Sequence, residues 1–172
     1  MFIVLARILD HDPSVHSIHH VLNATTAHPE FFSKTSLRAR KLKMSTPGSE
    51  WNPADLDRYI ENVWEPAVSD LRLLKRALAP HKAKFDANYK PLRDQVYAHI
   101  VVKDEFLVAG LFSRTLKTEI DEILRFLHSL IFAIKELALN GHRPDLNGDH
   151  YGYRERVAHI TAETEMLLRE LP

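Results

Sequence analysis

Between Thr118 and Asn140 the apolar residues Ile120, Ile123, Leu124, Leu127, Ile131, Ile134 and Leu137 recur with the spacing of one helix face. Such a stripe dictates a long amphipathic helix, because a 3.6-residue period brings those positions to one side. Thr118 reads as its cap with Asp121 at the third helical position, and Asn140-Gly141 reads as its stop. A face that wide needs other helices to cover it. The rest of the chain is suited to supply them, with only five glycines in 172 residues and few of the alternating β-branched runs that strands require. The expected fold class is all-α: an up-and-down helical bundle with additional short helices.

The other elements follow from their punctuation. A first helix should run to about Asp10, and Asp12-Pro13 should open a second, roughly Ser14 to Ala24. Pro29 opens a third, Glu30 to Lys43, and Ser45-Thr46-Pro47-Gly48-Ser49 is a loop. Asn52-Pro53 starts a fourth, with Leu56, Ile60, Val63 and Trp64 at helical spacing, and Pro66 and Pro80 should break the run from Pro53 to Ala79. A helix from Pro80 carries Phe85, Leu92, Val96 and Ile100, bent at Pro91, and Gly110 marks a connector. After Gly141 a loop from His142 to Gly152 leads to a final helix, Tyr153 to Leu171. With no boundary, repeat or low-complexity tract, a single domain over 1–172 is expected, its core bundle about 1–140. The opening Met1-Phe2-Ile3-Val4-Leu5-Ala6-Arg7 has no basic leader and is too short an apolar run to span a bilayer. An upstream helix missing from the chain is one reading of so abrupt a start.

Charge and composition narrow the chemistry. Lys+Arg and Asp+Glu both number 23, so any nucleic-acid contact must come from a local basic patch. Apolar residues are 45% and charged residues 27%, the balance of a soluble globular protein rather than a disordered one. The absence of cysteine excludes disulfides, thiol nucleophiles and thiolate metal sites, and fits a reducing cytoplasm. No Gly-x-Ser-x-Gly turn, phosphate loop or dinucleotide fingerprint is present, and no paired catalytic carboxylates stand out. No cofactor is expected.

The run Arg93-Asp94-Gln95-Val96-Tyr97-Ala98-His99 sets a guanidinium, a carboxylate and an imidazole in an otherwise apolar pattern. Arginine can stabilise phosphate charge and histidine can move a proton near neutral pH, the two requirements of RNA transesterification. On a straight helix the six-residue gap is about 9 Å of rise and about 120° of rotation, so the pair needs a bend or a second subunit to meet. Gln95, His99 and Lys103 would share one stripe if the helix continued past Val101. The same arginine-to-histidine spacing recurs at Arg154 and His159, on the helix that follows the expected bundle, and is set aside for that reason.

Lys90-Pro91-Leu92-Arg93-Asp94-Gln95-Val96-Tyr97-Ala98-His99 resembles the Arg-Asp/Asn-Lys-x-x-Ala-His stretch of the HEPN superfamily of helical proteins. Leu5-Ala6-Arg7-Ile8-Leu9-Asp10 resembles the entry of its AbiU-like branch, named for abortive infection of phage-infected bacteria. The resemblance implies a metal-independent endoribonuclease of toxin or phage-defence type, working as a homodimer with a cleft between protomers. It implies His99 as general acid or base, Arg93 as stabiliser of the phosphorane and Asp94 as the orienting group. Lys90, Tyr97 and Lys103 would then contact RNA. An antitoxin or other defence-system partner is implied, and no membrane. The alternative is a catalytically inactive bundle that binds a protein or a nucleic acid.

Three further clusters have a functional and a plainer reading. Arg38, Arg40 and Lys41 lie in a basic run that could track phosphates, although charge runs are usually solvated helix faces. His16, His19 and His20 sit at the spacing of one helical face and could chelate a metal, against the plainer reading of a polar surface face. Trp51 and Trp64, with Tyr59 between them, could stack bases, against packing. His128 is expected to be a hydrogen-bonded core histidine.

Overall fold

The computed structural model describes residues 2–12, 16–46, 48, 50–98, 105–147, 149 and 151–170, with the backbone alone for residues 2, 97, 98, 105 and 170. Every regular element among them is helical: α1 (Phe2–Ile8), α2 (Ile18–Ala27), a 3-10 turn (Pro29–Phe32), α3 (Lys34–Lys43) and α4 (Pro53–Asn62). There follow α5 (Val68–Asn88), α6 (Lys90–Leu92) continuing as a π-helical turn (Arg93–Ala98), α7 (Glu105–Phe112), α8 (Lys117–Asn140) and α9 (Tyr153–Glu170). The chain is an all-α helical bundle.

The two longest helices, α5 and α8, pack on each other, with α2 and α1 completing the core. Leu71, Leu74, Leu78 and Phe85 of α5, with Tyr89 at its C-cap, meet Ile120, Ile123, Leu127, Leu130 and Leu137 of α8, over Leu5, Leu9, Ile18 and Leu22. A second small cluster of Leu37, Leu56 and Ile60, backed by Trp51, Tyr59 and Val63, holds α3 and α4 together. The buried face of α8 is rotated slightly from the expected stripe: Leu130 and Ala133 are fully buried, whereas Ile131 is half exposed.

Several boundaries differ from expectation, each for a local reason. Residues 16 and 17 are not helical and Ser17 is the N-cap of α2, so that helix begins at Ile18. Ser33 splits the expected third helix, its hydroxyl accepting from the Ser36 N–H as the cap of α3. The end of α4 at Asn62 and the extended stretch around Pro66 match the expected break, but Pro80 breaks nothing. It lies on the exposed side of α5, while Leu78 and Phe85 on either side of it are buried. Packing there outweighs the bond to the Arg76 carbonyl that proline cannot make. Gly110 belongs to α7 rather than to a connector.

Nor does Thr118 cap α8; Leu116 occupies that position and has no capping side chain. The Tyr89 hydroxyl takes over, accepting from the Leu116 N–H (3.2 Å) and facing the Leu116 carbonyl and the Glu119 carboxylate. Asp121 instead accepts a 2.8 Å hydrogen bond from the Tyr153 hydroxyl, which ties α9 to α8. Burial, reinforced by that carboxylate, pushes the Tyr153 hydroxyl up to about 12. Gly141 ends α8 in the left-handed conformation, as Asn140-Gly141 implied. No helix among the described residues is long and apolar enough to cross a membrane.

A candidate anion-binding cleft between α1, α5 and the π-turn

The segment carrying Arg93 and Asp94 is not an ordinary helix. Proline 91 falls in the short α6 turn, where it cannot continue the α-helical ladder, and the backbone widens into the π-turn Arg93–Ala98. Single π-turns recur at functional sites because the wider register re-aims side chains. α1 packs against this turn, and α5 packs against α6, which leads into it.

Where these elements meet there is a cleft of about 150 Å³ lined by Ala6, Leu9, Asp10, His11, Lys82, Phe85, Asp86, Lys90 and Arg93. Pockets that enclose whole small molecules measure about 300–1,000 Å³, so this one suits a single charged group. Three cations, Lys82, Lys90 and Arg93, face two carboxylates, Asp10 and Asp86. Lys82 pairs with Asp86 one turn on. Arg93 Nε lies 2.5 Å from Asp94 Oδ1, yet that buried N–H is not aligned on an acceptor. The guanidinium is thus held by charge, with donor capacity left over. Unpaired buried donors are costly unless a ligand completes them.

His11 brings an imidazole to the cleft wall, and its ring lies against His19 with centroids 3.6 Å apart. His19 is buried with neither ring nitrogen hydrogen-bonded. Burial, followed by the charges of His11, Lys82 and Lys75, lowers its pKa to about 4, so it is neutral near pH 7. That neutral ring packs against His11. No motif in the sequence singles out His11. Its place just past the end of α1 was the sole hint that it could reach the Arg93 segment.

The structure therefore brings Arg93, Asp94 and Lys90 to one place, and adds Lys82 and His11. His99 and Lys103 lie outside the described residues, and of Tyr97 only the backbone is described, within the π-turn. Arg38, Arg40 and Lys41 are engaged elsewhere. Arg38 pairs with Asp57 at 2.7 Å. Arg40 donates to the Ala138 and Phe31 carbonyls and covers the Phe31 ring. Lys41 donates to Asn140 and lies over Tyr59. Arg40 and Lys41 tie α3 to the end of α8, and Arg38 ties it to α4. No group of three or more metal-ligating side chains converges among the described residues; His16 and His20 are exposed while His19 is buried. Arg154 and His159 of the second motif copy are exposed on α9, beside Asp149 and Glu163.

His128 corrects an expectation. It stacks on Phe132 and meets Tyr153 edge-on, but neither ring nitrogen has a hydrogen-bond partner. Ring contacts, not polar ones, hold it. No protein-family model, curated protein or solved structure matches the chain.

Proposed function

We propose that the protein is a metal-independent endoribonuclease of toxin or phage-defence type. The observation that carries this reading is the cleft that joins Arg93, Lys90 and Lys82 to the His11 imidazole. In the reaction, a ribose 2′-oxygen attacks the adjacent phosphorus and the 5′-oxygen leaves, giving a 2′,3′-cyclic phosphate and a 5′-hydroxyl end. One imidazole takes the 2′-hydroxyl proton and another group returns a proton to the 5′-oxygen. His99, from the sequence motif, and His11 fill these two roles. Arg93 and Lys90 stabilise the charge growing on the phosphorane, and Asp94 holds Arg93 in register. The working form is a cytoplasmic homodimer, and an antitoxin-like protein is its regulatory partner.

A second reading is a catalytically silent binding bundle. The observation favouring it is the exposure of apolar side chains on α7 and α9, including Phe106, Ile160, Leu167 and Leu168, which a protein partner would cover. One experiment separates the two. Mixed RNA is incubated with purified protein in EDTA beside Arg93→Ala, His99→Ala and His11→Ala. Cleavage that resists chelation, leaves cyclic phosphate ends and is lost in Arg93→Ala and His99→Ala supports the nuclease. Equal cleavage by all four proteins means contamination, and no cleavage by any of them leaves the silent bundle.

A further inference from the structure

A larger cavity lies elsewhere, where the chain between α4 and α5 crosses the end of α8. It measures about 580 Å³ and is open on one side, within the roughly 300–1,000 Å³ range of small-molecule sites. Its floor is rigid. The Trp64 N–H donates to the Gly141 carbonyl (3.0 Å) and the Tyr59 hydroxyl donates to the Asn140 carbonyl (2.8 Å). Val63 packs so closely on Gly141 that no side chain fits there.

The rim has a different character. Arg143 lies over the Trp64 ring, 5.8 Å from guanidinium carbon to ring centre, and makes no ion pair among the described residues. Arg58 reaches Asp55 only at 3.8 Å, with both side chains largely exposed. His142 is already engaged by Glu136. The cavity thus offers an aromatic face, two loosely held guanidiniums and one carboxylate. That combination is a stacking platform for a flat ring beside a fork suited to a doubly charged oxyanion.

We propose that this groove binds a nucleotide 5′-phosphate, the base lying along Trp64 beside Arg143 and the phosphate held by Arg58. The chemistry is shared by a free mononucleotide and by the 5′-phosphorylated end of a single strand. It is independent of the α1–α5 cleft, since no residue lines both cavities.

Calorimetric titration of the full-length chain with adenosine 5′-monophosphate, inorganic phosphate and a 5′-phosphorylated hexanucleotide tests it. Saturable binding of the mononucleotide with a Kd below about 1 mM is expected, a modest affinity for a preformed open site. Arg58→Gln and Arg143→Gln should each weaken it by about tenfold, the effect of losing one charge-assisted contact. Arg154→Gln, at an exposed α9 arginine that does not line this cavity, should leave it unchanged. Tighter binding of the hexanucleotide, lost in the same two variants, identifies a strand end as the ligand; equal binding identifies the mononucleotide. Three results would overturn the proposal: no saturation by the mononucleotide or the hexanucleotide, phosphate binding as tightly as the mononucleotide, or binding indifferent to both arginine variants. Arg58 and Arg143 sit on the exposed rim, so unchanged melting temperatures would show that both variants fold.

Discussion

Replacing Gly141 with alanine tests how the end of α8 is locked to the α4–α5 crossing. The backbone there has φ 65°, which costs an L-residue with a Cβ about 1–2 kcal/mol. The added Cβ would also stand 2.6 Å from Val63 Cβ and 2.9 Å from Leu37 Cδ2. The leucine methyl can rotate away, but Val63 Cβ is one bond from the main chain, so the crossing segment itself must shift. Overpacking of that kind costs about 1–3 kcal/mol. The shift also strains the Trp64–Gly141 hydrogen bond, worth about 0.5–1.5 kcal/mol. The sum is about 2.5–6.5 kcal/mol. Gly152→Ala is the control, since Gly152 has φ 68° but its added Cβ would meet only Glu155 Oε2 at an ordinary 3.5 Å. It should lose the conformational cost alone, about 1–2 kcal/mol. In urea denaturation and thermal melting followed by circular dichroism, Gly141→Ala should therefore fall at least about 1.5 kcal/mol below Gly152→Ala, roughly 3–6 °C in Tm for a chain of this size. Equal losses in the two variants would refute the steric part of the reasoning.

The buried His19 predicts a pH dependence. Its folded pKa of about 4 lies below the ordinary 6.5, so the unfolded chain takes up the proton first. The contribution is whole above pH 6.5 and is lost as pH falls toward 4, by roughly 3 kcal/mol at most. His19→Leu should flatten that part of a stability–pH curve measured by urea titration, and an unchanged curve would count against the buried neutral ring. Pro80→Ala should raise stability by about 1–2 kcal/mol, because it restores a helical hydrogen bond on an exposed face while loosening the unfolded chain; a lower Tm would mean that the Pro80 ring packs. Arg40→Ala should cost about 2–3 kcal/mol through the lost bonds to the Ala138 and Phe31 carbonyls. Arg40→Lys should recover little of it, since one ammonium cannot span both carbonyls.

How much of the site could be read beforehand depends on the range of each interaction. Arg93 and Asp94 are neighbours in the chain, and their shared surroundings followed from the motif alone. Lys90, one turn earlier, followed with them. His11 and Lys82 did not, because α1 and α5 meet the π-turn only through packing. The basic run on α3 shows the opposite case. It looked like a free patch, yet Arg40 and Lys41 are spent on carbonyl and amide oxygens at the end of α8, about a hundred residues away in sequence.

Local periodicity and punctuation were enough to determine an all-helical chain, the long α8 with its left-handed Gly141 stop, the short α4 and the final helix. These depend on backbone hydrogen bonds and side-chain spacing within a few turns, which the order of residues states directly. Only the tertiary structure decided that α5 runs through Pro80, that the tyrosine just past the end of α5 caps α8, and that Trp64 lies beneath Arg143 at the mouth of a cavity. Each of those depends on which surfaces are buried against one another. A proline costs little on a face turned to water, and a hydroxyl becomes a cap only where another helix begins beside it.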